Sequence, residues 1–127
     1  MNAPERHRSY QLDEGQARMT YEPDQRVASA GTFTINKEDH TVGNLLRMQL
    51  LRDGDTRFAG YQLPHPLEHR TLVKIQTVNA TPTPVNALSN AINDLFAECD
   101  LLDQRFKEEV RRVCSERGQA SMLDEAL

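Results

Sequence analysis

The residues best suited to chemistry lie together in a short polar stretch. His40 directly follows Glu38 and Asp39, and an imidazole beside carboxylates can carry out general acid–base catalysis. No nucleophile or second catalytic group stands at a recognisable spacing, and the sequence has no G-x-S-x-G motif, P-loop or G-x-G-x-x-G fingerprint. We therefore interpret the stretch as a helix-capping corner and predict no catalytic residue and no cofactor. A small hydrolase that uses His40 is the alternative.

A second group of candidate ligands lies in a proline-containing stretch. His65 and His69 are four residues apart with Glu68 beside the second histidine, a spacing that can bind zinc on a helix. Pro64 and Pro66 prevent a regular helix here, so the two imidazoles need not converge, and no cysteine or third ligand is near in sequence. The pattern therefore predicts no metal site and favours loop histidines or interface hydrogen bonds.

The polar corner leads into a helix that we predict from Thr41 to about Arg52. The side-chain oxygens of Asp39 and Thr41 can accept hydrogen bonds from the free N–H groups of a first turn. The stretch Asp53-Gly54-Asp55 is expected to stop the helix, with Gly54 able to take the left-handed conformation that is common at this position. Gly43 is expected to permit close packing of another backbone. The structural motif of the corner comprises Asp39, His40, Thr41, Gly43 and Asn44.

This helix is apolar over most of its circumference. Four apolar residues fall on one side at helical spacing: Val42, Leu45, Leu46 and Leu50. Met48 and Leu51 point to the other side, where a surface helix is normally polar. One side can cover the chain's own sheet, so the other side is expected to meet a second chain.

A much longer helix is predicted near the end of the sequence. Thr83 is a good N-cap, Pro84 suits the first helical position, and neither proline nor glycine occurs from Val85 to Arg117. Its apolar residues step by four and three, as in a helix that packs along another long helix. The series is Leu88, Ile92, Leu95, Cys99, Leu102 and Phe106. Since about 30 helical residues extend about 45 Å, the far part is expected to protrude or to lie on a partner.

The remaining β-prone segments predict four strands. They lie at residues 18–22, within 27–36, at 58–63 and at 72–78. Because the order strand, strand, helix, strand, strand, helix lacks βαβ alternation, the predicted fold class is α+β, a mainly antiparallel four-stranded sheet with two helices on one face. We predict a single domain over residues 1–117, with an extended lead-in at 1–16 and a flexible tail at 118–127.

Composition narrows the class of protein. The 127 residues suffice for one core, and 27% charged with 38% hydrophobic residues is an ordinary balance. The net charge of −4 argues against non-specific nucleic-acid binding through overall charge, and we expect no direct specific nucleic-acid binding. Without a run of about 18 apolar residues or an apolar leader, we expect no membrane span and no secretory signal. Cys99 and Cys114 are about 22 Å apart along one helix, so free thiols and a reducing compartment are expected.

Several of these motifs together resemble a known family. The stretch from Asn36 to Leu46, Asn-Lys-Glu-Asp-His-Thr-Val-Gly-Asn-Leu-Leu, is similar to the small alpha-like subunits of nuclear RNA polymerases. These subunits are related to the archaeal L subunit and to the dimerisation domain of bacterial alpha. Further similarity lies at 58–61 (Phe-Ala-Gly-Tyr), 64–69 (Pro-His-Pro-Leu-Glu-His) and 75–77 (Ile-Gln-Thr). The resemblance covers about residues 30 to 110, and Val42 departs from the usual leucine.

The resemblance implies a non-catalytic assembly role in the nucleus. Such a subunit pairs with a larger alpha-like subunit, and the heterodimer is the platform for the two large catalytic subunits. The sequence around Lys37 and the stretch 66–69 (Pro-Leu-Glu-His) are most similar to the RNA polymerase II form, and the paralogue shared by polymerases I and III is the close alternative. A free-standing homodimeric adaptor is a further alternative.

The surplus apolar residues of the two helices are the predicted dimer interface. On the first helix they are Leu45, Leu46, Met48 and Leu51, and on the second they are the six residues from Leu88 to Phe106. Obligate interfaces are apolar like a protein core cut in half.

Overall fold

A computed structural model describes residues 3–118 of the chain. The elements follow the predicted order. The strands are β1 (Met19–Pro23), β2 (Ala30–Asn36), β3 (Thr56–Gln62) and β4 (Arg70–Thr77), and the helices are α1 (His40–Arg52) and α2 (Pro84–Glu116). A short 3-10 helix, Arg6–Ser9, lies in the segment before β1. The predicted tail falls outside the described residues except for Gly118.

The four strands form one antiparallel sheet in the order β1-β2-β4-β3, so the predicted α+β class is confirmed. The central pair, β2 and β4, places Phe33 opposite Val73 and Ile35 opposite Thr71. Side chains alternate between the two faces of a strand, and these four residues share one face. Phe33, Val73 and Thr71 are almost completely buried, together with Ile75. The core therefore lies on this single face of the sheet.

Helix α1 packs on that face through its buried residues Gly43, Leu46 and Leu50. The ring of Tyr61, on β3, lies directly against the Cα atom of Gly43: a methyl group there would stand 2.5 Å from Tyr61 Cδ2. The predicted close approach at Gly43 is therefore present, and it involves an aromatic ring rather than a backbone. With no side chain at this position, the first turn of α1 can approach the sheet closely.

The segment before β1 is attached to the end of β2 by side-chain contacts. The Asn36 Nδ2 atom donates a hydrogen bond to the Ala17 carbonyl at 2.7 Å. The Lys37 side chain is largely buried, and its ammonium lies 3.5 Å from the Asp13 carboxylate. The Lys37 backbone has a φ of 61°, and its N–H donates to the His69 carbonyl at 2.7 Å. These contacts fix the chain where β2 passes into α1.

The predicted ends of the helices are partly corrected. Thr83 caps α2, since its Oγ1 accepts from the Asn86 N–H at 3.3 Å. Gly118 follows the helix with a φ of 72°, and its N–H donates to the Ser115 carbonyl. Gly54 does not adopt a positive φ; instead Asp53, in extended conformation, ends α1 and accepts from the Asp55 N–H at 3.0 Å. An Asp side chain can satisfy this turn, so glycine is not needed for it.

Helix α2 crosses the boundary between two compact units of the chain. Residues up to Ile92 belong to the first unit, with the sheet and α1, and residues from Asn93 belong to the second. The single-domain organisation over residues 1–117 stays a prediction.

Replacement of Gly43 by alanine tests the contact with Tyr61. Alanine in a helix is favoured over glycine by about 1 kcal/mol, whereas overpacking a core contact costs about 1–3 kcal/mol. We therefore expect Gly43→Ala to lower the free energy of unfolding, measured by urea denaturation, despite its better helix propensity. Gly54→Ala is the control, since nothing lies within 4 Å of a methyl group there. Stability of Gly43→Ala equal to or above that of the wild type would contradict the contact.

Candidate partner-binding surfaces

The start of α1 is set by hydrogen bonds of the polar corner. The Asp39 carboxylate accepts from the Thr41 N–H at 2.9 Å, and the Asp39 carbonyl accepts from the Gly43 N–H at 3.1 Å. The Thr71 hydroxyl, on the central strand β4, donates to the Glu38 carbonyl at 3.0 Å. The hydrogen bonds from Thr41, its backbone N–H first and its hydroxyl second, hold the pKa of Asp39 below its usual value. The corner is thereby joined both to the helix and to the sheet.

His40 contacts the same tyrosine that packs on Gly43. Its Nδ1 atom is 3.0 Å from the Tyr61 hydroxyl, and the two rings meet edge to face at 5.7 Å between centroids. Asn44 accepts a hydrogen bond from the Arg47 guanidinium at 2.7 Å. All five residues of the predicted motif thus lie in one corner; Asp39, Thr41, His40 and Gly43 make the contacts that position α1, and the contact of Asn44 lies within the helix.

A stripe of exposed apolar side chains runs along α1. Leu45, Met48 and Leu51 recur at every third residue, and each is 49–51% exposed. Residues three apart share a helix face, so the three side chains form one continuous surface, which we call the α1 stripe.

The sequence pattern assigned two leucines of α1 both to the side toward the sheet and to the predicted interface, and the structure separates them. The pattern grouped Leu45 with Leu46 on the face toward the sheet, but consecutive helical residues are about 100° apart. Leu46 is 5% exposed and belongs to the core, whereas Leu45 lies on the α1 stripe. Leu46 is therefore a core residue rather than an accessible interface residue.

The apolar series of α2 likewise contains both buried and exposed residues. At its start Leu88 is only 2% exposed, and its neighbours Ala87 and Ala91 are also buried. Leu88 is accordingly a core residue of the first unit, which corrects its place in the predicted interface. Ile92, four residues on, is half-buried.

In the second unit the same series lies on the surface. Leu95 is half-buried and Cys99 is exposed, while Leu102 and Phe106 are 70% and 63% exposed. Phe96, which the heptad spacing missed, is 67% exposed beside them. The consecutive apolar pair Leu95-Phe96 could have identified it from the sequence, because Phe96 extends the apolar surface one position beyond the heptad series. We call these five residues the α2 seam.

The charged residues of α2 are unevenly distributed. Residues 93–104 contain four acids and no base: Asp94, Glu98, Asp100 and Asp103. Residues 105–112 contain four bases and two acids: Arg105, Lys107, Arg111 and Arg112 with Glu108 and Glu109. Arg112 pairs with Glu109 and Glu116, which lowers the pKa of Glu109 and raises the pKa of Arg112. The helix thus carries opposite charge on its two successive segments.

In the second group of candidate ligands, His65 forms a hydrogen bond with the backbone. His65 Nδ1 accepts a hydrogen bond from the Leu67 N–H at 3.1 Å, which stabilises the loop between β3 and β4. Within residues 3–118, no three His, Cys, Asp or Glu side chains are grouped as a metal ion would require. In the same part of the chain, neither helix combines the length and apolarity needed to cross a membrane.

Comparison with known proteins identifies what the chain is similar to. Residues 30–105 match the family model of the RNA polymerase Rpb3/Rpb11 dimerisation domain. A Caenorhabditis briggsae protein named "Probable DNA-directed RNA polymerase II subunit RPB11" is 48% identical over 122 residues, covering 93% of this chain and 98% of the relative. The Schizosaccharomyces pombe protein named "DNA-directed RNA polymerase II subunit RPB11" is 38% identical over 109 residues, covering 86% and 87%.

A solved structure shares the fold. The DNA-directed RNA polymerase subunit L from Thermoplasma acidophilum superimposes with a TM-score of 0.62, covering 78% of this chain and 96% of that one. At 20% sequence identity the likeness shows the fold alone. It supports the α+β arrangement independently of the sequence relatives.

The capping role of Asp39 can be tested through pH. Because the folded-state pKa of Asp39 is lowered from 3.8, its contribution to stability is fully present above that pH and is lost as the pH falls through the lower, folded-state value. Asp39→Asn keeps a capping oxygen that does not titrate. We expect near-wild-type stability at neutral pH and a shallower loss of stability in acid, measured by thermal unfolding across pH.

Asp39→Ala is the companion variant, because it removes the capping oxygen altogether. Its melting temperature should be lower than that of the wild type at neutral pH. An Asn variant with the full acid dependence of the wild type would contradict the role of Asp39.

Proposed function

Because this chain belongs to the RNA polymerase Rpb3/Rpb11 dimerisation-domain family, we propose that it is an assembly subunit of nuclear DNA-directed RNA polymerase II. In this proposal it pairs with a larger alpha-like subunit, and the heterodimer supports the large catalytic subunits during transcription. The catalytic chemistry belongs to those other chains, and this chain is non-catalytic on its own.

One observation supports the proposal most directly: the exposed apolar surfaces on the two helices. The α1 stripe and the α2 seam together comprise eight residues, seven of them exposed and Leu95 half-buried. Single exposed apolar side chains are normal on soluble proteins, but contiguous apolar patches mark interaction sites. Both surfaces run along helices, as expected for helix packing against a partner.

The energetic argument favours a permanent complex. Full burial of a leucine, methionine or phenylalanine side chain stabilises a structure by about 1.5–3 kcal/mol relative to exposure. The α1 stripe and the α2 seam offer several such side chains, each 49–70% exposed with the exception of Leu95, which is half-buried. Interfaces of this apolar character are typical of obligate complexes.

The polar corner supports the interface indirectly. Asp39, Gly43 and Tyr61 set where α1 begins and how closely it lies on the sheet. The rotation of α1 then decides that Leu46 and Leu50 face inward and that the α1 stripe faces outward. We propose that the motif residues act by positioning this surface rather than by contacting substrate or nucleic acid.

The proposed pairing can be tested at the centre of the α2 seam. Leu102→Asp should abolish co-purification with the larger alpha-like subunit, since burying an unpaired carboxylate costs several kcal/mol. Leu102 is 70% exposed, so the substitution should leave the isolated chain folded, as judged by circular dichroism. The measurement is the yield of the variant recovered with an affinity-tagged larger subunit.

Leu101→Asp is the matched control. Leu101 is 46% exposed, and it lies one residue away, about 100° around the helix and outside the α2 seam. It should co-purify at wild-type yield. Recovery of Leu102→Asp at wild-type yield, or equal loss of both variants, would refute the proposed use of the α2 seam.

A further inference from the structure

The charge pattern of α2 is complementary to itself when two copies run in opposite directions. The α2 seam, residues 95–106, lies in the middle of the helix; the acidic segment 93–104 covers most of it, and the predominantly basic segment 105–112 begins at its end. An antiparallel pair of helices would place the basic end of each seam, at Arg105, beside the acidic beginning of the other copy's seam, at Asp94 and Glu98. A parallel pair would place acid beside acid, which is unfavourable.

We infer that the free chain, before it meets its larger partner, forms an antiparallel homodimer through the α2 seam. The occupant of the exposed seam is then a second copy of this chain. This inference goes beyond the proposed function, because it concerns the unassembled subunit. The homodimer and the heterodimer use the same seam and exclude each other, so the homodimer would shield the apolar side chains until the larger subunit displaces it.

The seam fits such a pairing at one register. In antiparallel helix pairs the two apolar positions of each heptad alternate across the interface. With the two-fold axis between residues 100 and 101, Cys99 faces Leu102 of the other copy, and Leu95 faces Phe106. Both layers are apolar and each occurs twice, as a closed two-fold interface requires.

The flanking charges agree with the same register. Arg105 lies on the same flank of the seam as Asp94 and Glu98, because multiples of the helical repeat separate the three positions. Across the two-fold axis, Arg105 of one copy falls between Asp94 and Glu98 of the other. On the opposite flank, Asp103 is neutralised within its own helix by Lys107 at 3.1 Å.

Two of these charges are available for contacts between copies. Within residues 3–118, neither Asp94 nor Arg105 takes part in an ion pair or a side-chain hydrogen bond, and both are exposed. They are 11 positions apart in sequence and therefore about 16 Å apart along the helix, too far for direct contact within one chain. An electrostatic coupling between them would have to act between two copies.

The experiment is sedimentation equilibrium of the full chain, alone, with charge-reversed variants. The wild type should be a dimer. Arg105→Glu should raise the dimer dissociation constant about tenfold, since each attractive contact becomes repulsive and occurs twice. Adding Asp94→Arg to that variant should lower the dissociation constant at least about threefold relative to Arg105→Glu alone, because an opposite charge again faces residue 105, while the unchanged Glu98 keeps the recovery partial.

The outcomes separate this inference from the proposed function. A wild-type chain that stays monomeric, or a double variant that dimerises no better than Arg105→Glu, would overturn the antiparallel homodimer. The same variants are then mixed with the larger alpha-like subunit. Failure of the wild-type chain to pair there would refute the proposed function while leaving the sedimentation result intact.

Discussion

The close packing of Tyr61 against Gly43 is the contact on which the placement of α1 depends. The ring occupies the space that a Cβ atom would need, and the Tyr61 hydroxyl also meets His40. Asp39 fixes the residue at which the helix starts, and the contact with Tyr61 fixes its distance from the sheet. The first residue of α1, its distance from the sheet and its rotation about its own axis together determine which of its apolar side chains enter the core and which stay on the surface.

That division explains how one short chain can have both a stable core and exposed apolar surfaces. The central strands bury Phe33, Val73 and Ile75 on one face, while the α1 stripe stays about half exposed. In the first turns of α2, Ala87, Leu88 and Ala91 are buried, whereas Cys99, Leu102 and Phe106, farther along the helix, are exposed. The apolar spacing continues without a break, but its environment changes, which is the physical basis for proposing a subunit rather than a free-standing protein.

Charge adds direction to this apolar surface. Apolar contacts alone favour association without choosing an orientation, whereas opposite charges beside them favour one arrangement over its reverse. The acidic and basic segments of α2 therefore favour a particular charge pattern and a particular direction in any helix that packs on the α2 seam. The family match and the relatives of 38–48% identity show the family to which the chain belongs. The charge pattern instead supports the inference about how the unassembled chain pairs with itself.

The sequence by itself determined the order of the elements, the caps at Asp39 and Thr83 and the continuous apolar series of α2. These features depend on neighbours within a few residues, and local hydrogen bonding and helical spacing suffice to predict them. Only the tertiary structure decided that Leu46 and Leu88 are core residues, that Leu45 is exposed, and that Gly43 faces a ring. The reason is physical: the rotation of a helix against a sheet depends on side chains distant in sequence, such as Tyr61, and helical spacing carries no information about them.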